Sequence, residues 1–410
     1  MSNEDRTLTP EQVRSQFPAL NRIHRGRSVA YFDGPGGTQV PKSVIAAMAD
    51  YLANHNANTH WNYPTSTETD DLLAGARQTV ADFLNAGPGE VVFGNNMTTM
   101  AFHLARGLGR AWAPGDRVVV TELDHHGNVG PWEAIAQDRD LVLDRIPFRL
   151  ADGTLDPERV VAAIGPRTRL VAVGWASNAL GSITDVAPIC RAAAERGVAS
   201  FVDAVHSAPH LLPDVQAIDC DYLACSPYKF YGPHTGVLFG RANLLRSVDI
   251  PRLRPAPNDA PDRLETGTQN HEGIVGIAAA IEFLAGIAPR ATRRDSLVAA
   301  YRALHQRATS LFARLWNGLG SIPRVRRYGP GPGVPRTPTA GFVVDGVPSG
   351  EVARQLADRA VFVSHGDFYA ATVIERLELG EEGLVRAGCA CYTVESEVDR
   401  LVDGVAEIAG

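Results

Sequence analysis

Between about residues 75 and 285, short runs of β-branched and other apolar residues alternate with alanine-rich segments whose apolar positions recur every three or four residues. The runs at residues 91–93, 117–121, 170–174, 200–203, 222–225 and 236–240 read as strands, and residues 100–112, 156–164 and 186–197 as helices. This alternation predicts a mostly parallel sheet with helices on both faces. Ligands of such sheets sit beyond the carboxyl ends of the strands, so the residues that follow each strand are the candidates for chemistry.

The pattern changes after residues 273–288, an apolar stretch that contains Glu282 and is too short to cross a bilayer, so it reads as a buried helix. A long helical stretch at 291–319 leads into the turn-rich Tyr328-Gly329-Pro330-Gly331-Pro332-Gly333, and the chain closes with an amphipathic helix near 395–408. The reading is an N-terminal segment over residues 1–40 packed near a domain junction, a large domain over 41–289 and a smaller α/β domain over 290–410.

Composition mainly excludes. A net charge of -7 with no basic stripe argues against nucleic acid as a partner. The opening Met1-Ser2-Asn3-Glu4-Asp5 has no basic and apolar leader pattern, which predicts a cytoplasmic protein with no membrane partner. Five cysteines, an odd number without a CxxC pair, argue against a disulfide framework or a structural zinc site and predict reduced thiols, mostly in the core. The 39 Lys+Arg residues include only two lysines, Lys42 and Lys229. GC-rich codon usage accounts for the scarcity, yet it leaves chemistry that needs a primary amine just two places to occur.

Lys42 follows Pro41 at a predicted helix start and reads as a surface charge. Lys229 follows the 222–225 strand among Pro227, Tyr228, Phe230 and Tyr231. A poorly solvated ammonium loses its proton more easily and becomes nucleophilic, as a Schiff-base lysine must. Pyridoxal phosphate is the cofactor that such an amine suggests, and it asks for an acid, a donor, a flat group and a phosphate cradle. Asp203, at the end of a strand, suits the pyridine nitrogen, although a helix cap is the plainer reading. His125, in Asp124-His125-His126-Gly127-Asn128, suits stacking on the ring, against an ordinary loop or a weak metal signal. Thr98, at the start of a helix, and Ser226 suit the phosphate, against a plain helix cap.

Seven ordered motifs carry a resemblance. They are Tyr31-Phe32-Asp33-Gly34-Pro35-Gly36-Gly37-Thr38, the His125 segment, Ser177-Asn178-Ala179-Leu180-Gly181, Val202-Asp203-Ala204-Val205-His206-Ser207-Ala208-Pro209-His210, the Lys229 segment, Glu265-Thr266-Gly267-Thr268 and Leu384-Val385-Arg386-Ala387-Gly388. Over about residues 30–405 the chain resembles the class V aminotransferases, fold-type I pyridoxal-phosphate enzymes, in their cysteine desulfurase-like branch. The resemblance implies a large domain with a mostly parallel seven-stranded sheet plus a smaller C-terminal α/β domain. It implies Lys229 as the cofactor-binding and proton-shuttling lysine, Asp203 at the pyridine nitrogen, His125 on the ring, and Asn178 and His206 near the ring hydroxyl. Desulfurases usually have Gln at the position of His206. Met97, Thr98 and Ser226 would hold the phosphate, joined by Thr268 from the other subunit of a homodimer. Arg386 would take the substrate carboxylate beside Gly36, and Trp61 and Tyr63 would line the entrance.

One departure matters. Desulfurases of this family carry a nucleophilic cysteine on a loop before the carboxylate-binding arginine, and here Ser364-His365-Gly366-Asp367-Phe368-Tyr369-Ala370 places Tyr369 there. A phenol cannot accept sulfur as a persulfide. If residues 385–392 form one strand, Cys389 and Cys391 face away from Arg386. The expected reaction is β-elimination from an S-substituted L-cysteine, a C–S lyase activity with Tyr369 beside the catalytic Lys229 and His125. A bulky conjugate from secondary metabolism, such as antibiotic biosynthesis, suits the Trp61 cluster. Aminotransfer, epimerisation, decarboxylation coupled to oxidative deamination and a non-catalytic regulatory role are the alternatives.

Overall fold

The apolar runs assemble into one seven-stranded sheet in a computed structural model that describes residues 7–410. The Met1–Asp5 stretch, on which the expected lack of a leader rests, lies outside the described residues. Across the sheet the strands stand in the order Val91–Gly94, Gly236–Gly240, Tyr222–Cys225, Ala199–Asp203, Thr168–Gly174, Arg117–Thr121 and Val142–Ile146. The last five are mutually parallel. Gly236–Gly240 runs antiparallel to both of its neighbours, so the other six strands all point their carboxyl ends to one edge.

Successive side chains of a strand face opposite ways, and here each direction meets its own core. Val118, Val120, Leu170, Ala172 and Phe201 pack in one cluster, whereas Val119, Val171, Val173, Val202 and Leu223 pack in the other. Burial on both faces explains why these strands read as unbroken apolar runs. The Val142–Ile146 strand was not anticipated, because it holds a sheet edge and carries Asp144 and Arg145 within it. Arg117 Nε of the neighbouring strand donates to Asp144 Oδ2 at 2.8 Å.

A second, four-stranded antiparallel sheet orders Val325–Tyr328, Thr339–Val344, Leu384–Gly388 and Ser364–Gly366. It shares a third apolar cluster with the helices Arg293–Gly320 and Glu395–Ala409. Ala30–Tyr31 pairs in parallel with Val361–Phe362, and Gly388 N donates to Phe32 O at 2.8 Å, so the N-terminal segment is stitched to this part of the chain.

Three expectations need correction. The strand expected over 385–392 ends at Gly388, where the close approach of the N-terminal segment takes over its hydrogen bonding. The helix expected from residue 100 begins at Met97, capped by Asn96, and ends at Leu108. The apolar helix runs His271–Ala285 rather than 273–288, capped by Asn270. Among the described residues no helix is long and apolar enough to cross a membrane.

Candidate active site

The sheet's carboxyl edge opens on a cavity of about 280 Å³, whose lining includes Thr98, His125, Asn178, Asp203, Ser226 and Lys229. Lys229 ends the single turn Pro227–Lys229 that follows the Tyr222–Cys225 strand. Its Nζ donates to Gly36 O at 2.8 Å and also to Pro35 O. Burial pushes this amine down to about 7 and the Arg386 charge adds to the effect, against opposing pulls from Asp33 and Asp203. A neutral, nucleophilic amine is therefore accessible near neutral pH.

Asp203 closes its strand inside the cavity, and its Oδ1 accepts from Val205 N at 2.8 Å. That N–H belongs to a loop, so the plain helix-cap reading does not apply. Burial raises the carboxyl to about 6, opposed by this hydrogen bond and by Lys229. Behind it lies a carboxyl that sequence reasoning missed. Asp124 is buried and accepts from Thr121 Oγ1 at 2.9 Å, Gly174 N at 2.9 Å and Asn128 Nδ2 at 3.0 Å. A Cβ on Gly174 would stand 2.8 Å from Asp124 Oδ1, so a glycine is needed where the two strand ends meet. Burial pushes Asp124 up to about 7, and Asp203 contributes in the same direction. An acid directly before the His125-His126 pair was a readable signal; its burial was not.

His125 follows Asp124, and its Nδ1 accepts from Gly127 N at 2.8 Å, which leaves the ring proton on Nε2. Burial, reinforced by Lys229, lowers this imidazole to about 4, so it offers a neutral flat face. Gly127 is confined between its neighbours: a Cβ there would lie 2.8 Å from His125 Nδ1 and 2.8 Å from Thr98 Oγ1. No group of three metal-ligating side chains exists among the described residues.

The helix Met97–Leu108 starts at the same cavity. Asn96 Oδ1 accepts from Thr99 N at 2.9 Å, and Met97 N donates to Ser226 Oγ at 3.1 Å. The positive end of this helix beside two hydroxyls suits a phosphate. Across the cavity, Asn178 Nδ2 donates to Phe368 O at 2.9 Å, while its Oδ1 is buried with no partner. An orphaned acceptor on a cavity wall calls for a donor from outside the chain, and a ring hydroxyl supplies one. His206 also lines the cavity, although its Nε2 is engaged by Thr337 Oγ1 at 3.0 Å and Thr339 Oγ1 at 3.3 Å. Amine, buried acid, flat ring, helix terminus and orphaned acceptor together fit pyridoxal phosphate.

Arg386 lies just beyond this lining and is buried. Its Nη1 donates to Asn178 O at 3.1 Å, its Nε donates to Ser364 Oγ at 3.2 Å, and its Cζ sits 3.9 Å from the centre of the Phe368 ring. None of these partners is a carboxylate, and burial lowers the guanidinium to about 10. Gly36 contributes its carbonyl to Lys229. Tyr369 holds its ring centre 5.6 Å from that of His125, but the side chain is 74% exposed and outside the lining. Trp61 and Tyr63, 61% and 46% exposed, are not brought to Lys229 within the chain. Thr268 lines a separate surface hollow with Asn95 and Thr99.

The model of the family described as aminotransferase class-V matches residues 30–401. The chain belongs to the class V aminotransferase family. The cofactor of this family, and of this chain, is pyridoxal phosphate. A protein of Dickeya dadantii named cysteine desulfurase is 32% identical, over 97% of this chain and 96% of its own length. A probable cysteine desulfurase of Pseudomonas putida is 31% identical, over 97% of each. Among solved structures, the apo cysteine desulfurase of Thermococcus onnurineus superposes with a TM-score of 0.89 at 29% identity, covering 99% of both chains. The Escherichia coli cysteine desulfurase CsdA, as its S-sulfonic acid, gives 0.85 at 27% identity and 98% of both. In this class V aminotransferase all five cysteines are buried, and none lines the Lys229 cavity. Burial pushes the thiols of Cys389 and Cys391 up to about 12.

Proposed function

We propose that this enzyme cleaves the C–S bond of an S-substituted L-cysteine by β-elimination and does not transfer sulfur through a persulfide of its own. The observation that carries this reading is the state of its thiols. A persulfide forms on an accessible thiolate, and every cysteine here is buried, while the exposed loop position corresponding to the desulfurase nucleophile carries Tyr369. The named relatives are cysteine desulfurases. That likeness supports the same first half of the chemistry for this chain, removal of an α-proton from an amino acid and rupture of the bond between Cβ and sulfur.

In this reading Arg386 anchors the substrate carboxylate through its free edge. Neutral Lys229 takes the α-proton, and the sulfur leaves as thiolate with the C–S electron pair. When bound, the cofactor withdraws the electron pair left on the α-carbon. Asp203 would keep the pyridine nitrogen protonated, His125 would cover the ring, and Asn178 would meet its hydroxyl. Met97, Thr98 and Ser226 would hold the phosphate, and Thr268 would complete that site from the second subunit of a homodimer. With one water consumed, the products are a thiol, pyruvate and ammonia.

The test is incubation of the cofactor-loaded protein with S-methyl- and S-benzyl-L-cysteine. Equal amounts of thiol and pyruvate are the expected result. Alanine and sulfane sulfur from free L-cysteine, with no pyruvate from either conjugate, would overturn the reading in favour of desulfuration.

A further inference from the structure

The turn that carries Tyr369 is fastened to the site. Ala370 N donates to Asp367 O at 2.8 Å and Tyr369 N to Asp367 Oδ1 at 2.8 Å, closing the turn on itself. Its two central residues, Phe368 and Tyr369, both have φ of 56°, a left-handed backbone that side chains disfavour. A strained turn persists where its surroundings over-determine it, and three hydrogen bonds from Asn178 and His126 do so here. Asn178 Nδ2 donates to Phe368 O at 2.9 Å, His126 N donates to Tyr369 O at 2.7 Å, and His126 Nε2 meets Thr372 Oγ1 at 3.1 Å. Just beyond, Arg376 pairs with Glu122 at 3.0 Å.

This fastening has a directional consequence. It lays the Phe368 ring on the face of the Arg386 guanidinium, a cation–π contact at 3.9 Å. The face is covered, Nε and Nη1 are engaged by Ser364 and Asn178, and Nη2 is left at the edge. Carboxylates bind guanidinium edges, so a ring on the face does not compete with them while it fixes the orientation of the group. Phe368 is only half-buried and packs against the large apolar cluster, which places its ring between that cluster and the anchor.

We propose that Phe368 is a specificity-determining residue: held over Arg386 by the fastened turn, its ring forms the wall against which an apolar substituent of the substrate packs. This rests on the reading of Arg386 as the carboxylate anchor. It selects amino acids whose side chains end in an aromatic or bulky apolar group over short ones, and for the elimination reaction it selects S-aryl or S-aralkyl cysteines.

The test separates this from the reaction itself. L-Phenylalanine and L-alanine carry no leaving group on Cβ, so neither can eliminate, and each can be titrated against the cofactor-loaded protein by the change in cofactor absorbance. The protein is expected to bind L-phenylalanine about tenfold more tightly than L-alanine, Phe368→Ala to abolish the preference and Phe368→Leu to retain part of it. Equal binding by the unmodified protein, or a preference that survives in Phe368→Ala, would overturn the proposal; if Phe368→Ala does not fold, an undiminished preference in Phe368→Leu does the same. If the preference is found as expected and S-benzyl-L-cysteine yields no pyruvate, the elimination reading alone falls.

Discussion

Asn178 and Arg386 are joined by a 3.1 Å hydrogen bond from the guanidinium to the backbone carbonyl, while Asn178 also lines the Lys229 cavity and keeps its Oδ1 buried and unpartnered. One residue thus links the cofactor position to the carboxylate anchor. Arg386→Gln is expected to raise KM for an amino-acid substrate about a hundredfold, the loss of a charge-assisted pair, with a smaller change in kcat. Cofactor absorbance checks that the neighbouring site is intact, and an unchanged KM would remove Arg386 from substrate binding.

The amine of Lys229 carries the strongest single prediction. Lys229→Ala is expected to abolish both turnover and the absorbance of lysine-bound cofactor, read by spectrum after gel filtration. Full activity in that variant would refute the assignment.

The depressed Lys229 also sets a pH dependence. Its value falls from the ordinary 10.5 to about 7 in the cofactor-free fold, so between those values the unfolded chain binds more protons than the folded one. Its contribution to stability therefore rises with pH from about 7 to about 10.5. The rate at which apoprotein captures pyridoxal phosphate follows the folded amine alone and should rise to a plateau with a midpoint near pH 7, because only the neutral amine attacks. Stopped-flow absorbance across pH 6 to 9, a window of about three units around that value, checks this, and a flat profile would contradict it.

Cys389→Ala and Cys391→Ala are predicted to cost stability without costing chemistry. Each removes a sulfur from a packed core, worth about 1–2 kcal/mol, and neither side chain reaches the cavity. Urea unfolding and pyruvate release measure the two effects. Loss of turnover without loss of cofactor would restore a catalytic thiol to the account.

Tyr369→Phe is expected to keep kcat within about twofold, since its phenol is turned to solvent. A tenfold fall would place the hydroxyl in the reaction.

The six strands read from the sequence were legible because both of their faces are buried, which leaves continuous apolar runs. The seventh, Val142–Ile146, escaped because an edge strand tolerates Asp144 and Arg145. Lys229, Asp203 and His125 stood out as chemistry-bearing residues directly after strands, and the fold brings them together. Asp124 did not, because its importance lies in its burial against the distant Gly174, whose N–H it accepts alongside two local donors, Thr121 and Asn128. Nor did Phe368 or the left-handed turn, since no glycine marks those positions. The burial of Cys389 was anticipated, but the alternation expected to turn it from Arg386 does not apply, because that strand has already ended at Gly388 and the thiol sits in the core of the second sheet.

The antiparallel strand Gly236–Gly240 has an effect beyond sheet order. Cys225 is paired with Val237 in adjacent strands, so the segment carrying Lys229 leaves the sheet and returns to it as a loop tied at both ends. A tether of that length has few configurations to explore, and the amine's search has largely been completed during folding. Capture of the cofactor then loses little conformational freedom, and the affinity it reaches reflects contacts made at the site more than the ordering of the chain that makes them.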